Sequence, residues 1–508
     1  MYQGDGTGPL GGMGHGNADL GLTTPSSTFY EQGRFGRMFP TLAPFAADTP
    51  SVRAALIDIG KPGGMMDAGD DLTDPLALLA NAALSADNPD NPTMTAGFTF
   101  LGQFIDHDMT FDPTSSLARR QDPEAMRNFR IPALDLDNVY GGGPGVSPAL
   151  YDQSVDEGRT TMLVEEIPGS AAVTIDGQPR FDLPRNSQNV ALIGDPRNDE
   201  NLVVSQLHLA FLKFHNAVLT DVKAAIGATH TLEEVFEETQ RIVRWHYQWL
   251  VLHEFLPATI GATLAHDIAT NGRKFFAWRN DPYIPVEFSV AAYRFGHSQV
   301  RPSYRANFGT SATTPAQQFI ALIFDPAAAT PADPGDLRGG CRAPRRFIDW
   351  QTFFDFGDGR VRRNKKIDTA LSSTLFHLMG MGTGTPDSLA TRNLLRNLTM
   401  KLPSGQAVAR AMQVPVLPPS ALSDVAAQGL DERTPLWFYV LREAHKKGQG
   451  KRLGPVGGRI VGEVIQGLIE GDSQSYLTQD PGWTPDYGTG GDFRMVDLLT
   501  KAGVVGSL

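Results

Sequence analysis

The sequence predicts a mainly α-helical protein, built as one large domain from 51 to 508 behind an N-terminal arm over residues 1–50. Three observations carry this. Apolar residues recur at helical spacing in segment after segment. Strand-like alternation is rare and short. The residues able to do chemistry are spread through the chain instead of collecting in one part of it.

Composition narrows the function. With 41% hydrophobic and 20% charged residues the chain reads as an ordinary soluble globular protein. Its 44 basic against 56 acidic residues give a net charge of −12, which removes the electrostatic case for nucleic acid or an anionic membrane as partner. No apolar run reaches the roughly 18 residues needed for a membrane span. The single cysteine, Cys341, excludes an intrachain disulfide framework. The opening MYQGDGTGPLGG lacks the charged and apolar regions of a secretory signal, so cytoplasm, or export without a leader, is expected.

Taken in order, the arm has eight glycines in its first 21 positions and little periodicity, as in an extended or disordered segment wrapping the main body. LALLANAAL, within Asp67 to Asp90, is helix-compatible. Phe98 to Asp112, FTFLGQFIDHDMTFD, winds as a helix with Phe98, Leu101, Phe104 and Ile105 on one apolar stripe. Gln103, Asp106 and His107 share another face at i, i+3 and i+4. Asp108 swings back towards the stripe, where an ionised carboxylate needs a cation or several hydrogen bonds.

From Phe111 to Asp195 the chain is rich in Pro, Gly and Asp, too long for an idle loop, and is expected to serve a site. Within it, Ile131, Ala133, Asp135 and Asp137 alternate on one side of an extended segment, and their carboxylates and backbone carbonyls suit a hard cation. A helix is predicted from Glu200 to Leu219. Thr231 and Glu234 form a capping box for another, running through RIVRWHYQWLVLHEF to Pro257. VAAYRFGHSQV, TALSSTLFHLMG, SLATRNLLRNL, TPLWFYVLREAHKK and GRIVGEVIQGLIE complete the helical set.

Four places combine unusual residue types. After GQFIDHD comes GDPRNDEN, where Arg197 and Glu200 lie one turn apart at a helix start and the cation opposes the helix dipole. AYRFGHS then places His297 just after a glycine that permits close approach. RNLLR sets Asn393 and Arg396 on one face. In this order and rough spacing the four resemble the animal-type haem peroxidases of the peroxidase-cyclooxygenase superfamily, in a bacterial-like form. GQFIDHD is similar to the family's distal helix, GDPRNDE to its catalytic-arginine segment, AYRFGHS to its proximal-histidine segment and RNLLR to its asparagine-arginine helix. LDLDNVYGGGP resembles its calcium loop and LGPVGGRIVGEVIQGL its C-terminal helix. The likeness runs from about residue 90 to 470.

The resemblance implies haem b and Ca2+ as cofactors. His107 would be the acid-base catalyst, Gln103 would hold water beside it, and Arg197 would stabilise charge. His297 would ligate the iron and Asn393 would receive its other N–H. Arg294 and Arg396 would pair with the haem propionates. Asp108, Asp135 and Asp137, with carbonyls of Ile131 and Ala133, would bind calcium. Hydrogen peroxide would be reduced through a ferryl haem, at the expense of a small organic donor or halide. Asp106 and Glu200 match the carboxylates that esterify haem in mammalian members. Asn201 stands where those carry a methionine, so no sulfonium link is expected, and Ile131 replaces a threonine ligand of calcium.

A fatty-acid dioxygenase of the same superfamily is the alternative. Such members carry a tyrosine three residues before the proximal histidine, where this chain has Arg294, with Tyr293 displaced by one. A non-enzymatic haem or adhesion protein is a third reading, disfavoured by the presence of both His107 and Arg197. His208 and His215 read as core or supporting residues, as do His246, His253 and His377, and Cys341 as a loop thiol without a catalytic role.

Overall fold

Burial on almost every side makes the Gly97–Met109 helix the centre of the molecule. Of its residues only Gly102 and Gln103 escape full burial. Its apolar stripe meets the Leu202–Ile226 helix through Phe104, whose ring stacks on Phe211 at 4.5 Å and 1°. The edges of Tyr247 and His208 close round the same ring. The computed structural model describes residues 35–508 except 112–127, 129, 131, 279–280, 326, 328–331 and 379–385.

Leu202–Ile226 and Leu232–Leu250 pack together as a hairpin. The second starts at the expected capping box, Thr231 Oγ1 accepting from Glu234 N while the Glu234 carboxylate accepts from Thr231 N. On the other side, Leu389–Thr399 packs on Pro50–Gly60 and on Leu436–Gly448, which in turn meets Pro455–Gly471. Among the described residues the strands form four two-stranded ribbons. Phe35–Gly36 pairs in parallel with Ile284–Pro285. Three antiparallel pairs join Asp90–Thr95 with Arg363–Lys365, Glu165–Glu166 with Phe181–Asp182, and Ser303–Asn307 with Phe319–Leu322. The architecture is mainly α, as expected.

Of the N-terminal arm, residues 1–34 lie outside the described residues. The part from Phe35 onward is fastened to the body: Met38 N and Phe39 N donate to the buried Glu287 carboxylate at 3.0 and 3.1 Å, and Phe45 N donates to Leu402 O at 2.8 Å.

Several predicted elements are redrawn. The opening helix ends at Met109, three residues early, with Thr110 in extended conformation. The helix from Thr231 does not stop at Pro257. A π-helical turn over Val251–Phe255 leads into Leu256–Ile260, where the proline occupies a first-turn position that needs no amide donor. Residues 290–300 are a broken helix, in which a π turn (Glu287–Ala291), a 3-10 turn (Ala292–Phe295) and one α turn (Gly296–Gln299) follow one another. Of TALSSTLFHLMG only Ser373–Phe376 is helical, as a 3-10 turn, and 379–380 lie outside the described residues. Pro50–Gly60, Ala262–Asn271, Gly405–Ala411 and Met495–Lys501 are helices without a predicted counterpart.

Leu202–Ile226 is long and apolar enough, by length and composition, to cross a membrane, although polar residues such as Gln206 and Lys213 interrupt its apolar runs. Most of it is buried within the protein, where an all-round apolar helix is a core element.

Phe104→Ala removes the ring shared by Phe211, Tyr247 and His208 and should lower stability by about 3–5 kcal/mol, read as a fall in the denaturation midpoint of the purified chain.

Candidate active site

The Gly97–Met109 helix, the turn at Pro196–Asp199, the broken helix at 287–299 and the Leu389–Thr399 helix converge on one cavity of about 640 Å3, within the usual range for cofactor sites. Gln103, Asp106, His107, Arg197, Glu200, Arg294, His297, Asn393 and Arg396 all line it, so nine positions from four segments far apart in sequence meet at one place.

His107 is 5% exposed and borders the cavity. Its Nδ1 lies 2.8 Å from Asn198 Oδ1, leaving Nε2 as the other hydrogen-bonding atom of the ring. Burial, then the charge of Arg197, push the imidazole down to about 4, so it is neutral near pH 7. Arg197 is held from behind. Asp195 takes Nη2 at 2.7 Å and Nε at 3.1 Å, the His107 and Thr110 carbonyls share the two Nη2 hydrogens with it, and the guanidinium lies 4.7 Å from the Phe111 ring centre. The cation expected at a helix start therefore sits in a 3-10 turn, N-capped by Asp195, just before Asn201 caps the Leu202–Ile226 helix.

Gln103 donates through Nε2 to Glu200 Oε1, and its Oε1 accepts from Asn201 Nδ2 at 3.1 Å. Both ends of the amide are thus tied to the Arg197 segment, leaving one N–H of the amide for a water. Enclosure in the cavity wall pushes the Glu200 carboxyl up to about 7, against Arg197 and Gln103, although the side chain is exposed to the open cavity. Asp106 accepts from Thr110 Oγ1 at 3.2 Å and faces Arg294 Nη1 at 3.7 Å; Arg294 also donates through Nε to Ser289 O at 2.7 Å.

His297, pushed down to about 3 by burial and Arg294, presents a neutral ring. Asn393 Nδ2 is placed 2.7 Å from its Nδ1. Amide oxygen and nitrogen exchange by a flip, and with the oxygen turned to the ring Nδ1–H donates and the Nε2 lone pair is available to a metal. A neutral imidazole oriented by an amide, a wide cavity and arginines at its rim fit an iron porphyrin.

Behind the same helix, carboxylate oxygens of Asp108, Asp135 and Asp137 come within 4.8 Å of one another. They do not alternate along an extended strand. Leu136 takes a left-handed conformation (φ 62°), and Asp137 opens the helical turn Asp137–Tyr140, which folds the two carboxylates towards Asp108. Asp108 Oδ2 accepts from Leu136 N at 3.2 Å while its buried Oδ1 has no hydrogen-bond donor. Burial and the two neighbouring aspartates drive the Asp108 carboxyl well up. Three clustered carboxylates with an unsatisfied oxygen fit a hard divalent cation. Ala133 is buried beside them, and Ile131 lies outside the described residues.

Three residues here escaped the sequence reading as site members. Asp195 is fully buried and shared by Arg197 and Arg130. Arg130, equally buried, also reaches Asp137 Oδ1 at 3.2 Å and so connects the acidic cluster to the cavity. Asn198 joins His107 to His208, whose Nδ1 lies 2.9 Å from Asn198 Nδ2. The signal for Asn198 and Asp195 was their place inside GDPRNDEN; for Arg130 it was only the Pro- and Asp-rich stretch around it.

The animal haem peroxidase family model matches residues 121–339. The chain is 23% identical over 383 residues to the thyroid peroxidase of Mus musculus, covering 72% of this chain and 40% of that protein. It is 33% identical over 275 residues to a peroxidase-like protein of Margaritifera margaritifera, covering 44% of this chain and 35% of that one. The chain thus spans less than half the length of these relatives. Among solved structures, peroxidase A from Dictyostelium discoideum superposes with a TM-score of 0.54 at 16% identity over 89% of each chain. Fatty acid alpha-dioxygenase from Oryza sativa does so with 0.56 at 15% identity over 87% of this chain and 76% of that one. At such identities the superpositions establish the fold. The family model, the sequence relatives and the shared fold agree: the chain is similar in sequence to the animal haem peroxidases and shares the fold of the superfamily's solved structures.

Proposed function

We propose that this protein is a haem peroxidase that reduces hydrogen peroxide and oxidises small organic donors or halides. The observation that carries the reading is the convergence of His107 and Arg197 with the His297–Asn393 pair on one cavity. Haem, which His297 would hold, would supply the redox chemistry for splitting peroxide and oxidising donors. His107 takes a proton from one peroxide oxygen at Nε2 and returns it to the other, which leaves as water. Arg197, fixed by Asp195, offsets negative charge as the bond breaks. Gln103, anchored by Glu200 and Asn201, orders water beside His107. Arg294 and Arg396, which line the cavity, would pair with the propionates, and Asn393 Oδ1 would accept a hydrogen bond from His297 Nδ1–H, which would strengthen that ring as a donor to iron.

The dioxygenase reading is weaker. Position 294 is an arginine, and the Tyr293 hydroxyl donates to Gly102 O at 3.1 Å from deep burial. Asp108, Asp135 and Asp137 are the proposed calcium ligands, with the Ile131 and Ala133 carbonyls completing the expected set. Arg130 shares Asp137, so this site holds its cation less tightly than one whose carboxylates are all unshared. Asp106 and Glu200 both line the cavity and are the carboxylates available for ester bonds to haem.

Replacing His107 by Ala should leave haem bound and slow the reaction with peroxide by about 10²–10⁴-fold in stopped-flow absorbance; an unchanged rate removes His107 from the reaction. Chelation of divalent cations should lower the thermal midpoint, since an ion at about 100 times its Kd stabilises by roughly 3 kcal/mol, and Asp108→Asn should be insensitive to chelator. Acid–acetone extraction should leave haem on the wild-type chain after peroxide turnover and release it from the Asp106→Ala, Glu200→Ala double variant; full release from wild type refutes the ester links.

A further inference from the structure

Asn198 and His208 form, with His107, a buried chain of imidazole, amide and imidazole running away from the cavity. His107 Nδ1 lies 2.8 Å from Asn198 Oδ1, and Asn198 Nδ2 lies 2.9 Å from His208 Nδ1. Asn198 and His208 are fully buried, and His107 is open only towards the cavity.

We propose that Asn198 and His208 are positioning residues that lock His107 in the tautomer with its proton on Nδ1, so that Nε2 presents a lone pair to the cavity.

A neutral imidazole has one donor and one acceptor, and an amide has a donor end and an acceptor end. Three such groups in series run in one of two directions. In the first, His107 Nδ1–H donates to Asn198 Oδ1 and Asn198 Nδ2–H donates to His208 Nδ1, with the His208 proton on Nε2. In the second every bond reverses, and His107 turns an N–H to the cavity, where it can accept no proton.

The cavity side favours the first direction, and it does so against the cost of a His208 Nε2–H that has no hydrogen-bond partner among the described residues. Arg197 borders the same cavity and carries donors only, so a lone pair on Nε2 suits the site better than another donor. His208 must stay neutral to serve as an acceptor. Its ring is enclosed by Phe104 and the Leu202–Ile226 helix, and burial pushes it down to about 3. Asn198 itself is held in place by its N–H to Asp195 O at 3.0 Å, at the turn that also places Arg197. One turn therefore sets both the cation and the tautomer of the base.

The inference rests on the peroxidase reading for its purpose, but its test does not need turnover. The full haem-loaded chain, labelled with 15N-histidine and converted to the diamagnetic carbon monoxide-bound ferrous form, is studied by long-range 1H–15N spectroscopy, with His107 assigned by loss of its signals in His107→Gln. The expected result is a protonated Nδ1 on His107 and a protonated Nε2 on His208. Asn198→Leu and His208→Phe should move the His107 proton wholly or partly to Nε2, while His208→Gln, which keeps an acceptor for the Asn198 amide, should retain it on Nδ1. The rate with hydrogen peroxide should fall by on the order of 10²-fold in the first two variants and much less in the third. A wild-type His107 protonated on Nε2 overturns the proposal, as does a tautomer indifferent to both Asn198→Leu and His208→Phe; if Asn198→Leu fails to fold, His208→Phe decides alone. Correct tautomers in a wild-type chain inert to peroxide refute the peroxidase reading and leave the positioning role intact.

Discussion

The structure around the cavity depends on one carboxylate. Asp195 is fully buried, and two guanidinium groups share it: Arg197 from the cavity side and Arg130 from the acidic cluster. Burial alone would raise its pKa, but the two cations outweigh that and hold it far below the usual carboxylate range. An uncompensated charge at such depth costs several kcal/mol, so the three groups stand or fall together. Asp195 also caps the turn that carries Arg197 and Asn198. Through Arg130 the arrangement reaches Asp137 and hence the proposed cation site. His107, the cation beside it and the acidic cluster thus share a support that none of them supplies alone.

The Gly97–Met109 helix faces this support on one side and the cavity on the other. An α-helix turns about 100° per residue, so adjacent His107 and Asp108 cannot face the same way. His107 opens on the cavity, whereas Asp108 meets Asp135 and Asp137 behind it. Phe104 wedges the helix against Phe211 and Tyr247, which fixes its rotation about its own axis. A cation among the three aspartates would hold the same rotation from a second point.

Local sequence made the helix itself legible. Gln103, Asp106 and His107 share the expected face, and the Thr231 capping box forms as its spacing predicts, because both depend on residues at most four apart. What escaped is non-local or concerns rare backbone states. Nothing near Arg130 announces that it will meet Asp195, 65 residues away. Asn198 shows its use only when His107, 91 residues earlier, is packed beside it. Leu136 in a left-handed conformation defeats an alternation argument, since that state is unfavourable for a branched residue and persists only where the surroundings impose it. Pro257 was a sound stop signal for an unbroken α-helix; the π turn before it changes the register and removes the conflict.

The same kind of register break bears on which chemistry the cavity supports. Peroxidase and dioxygenase structures both share this fold at about 15% identity, so the fold does not choose between them. The choice lies in the segment before His297. A π turn ends at Ala291, whose backbone (φ −128°, ψ −75°) departs from the helix, and a 3-10 turn carries Tyr293 and Arg294. The tyrosine hydroxyl is thereby brought to the Gly102 carbonyl of the central helix, while the arginine faces Asp106. A phenol engaged as a donor to a backbone carbonyl, under burial that drives its pKa well up, resists losing its proton. The displacement by one residue thus makes Tyr293 a brace between the central helix and the His297 segment and puts the Arg294 cation at the rim of the cavity.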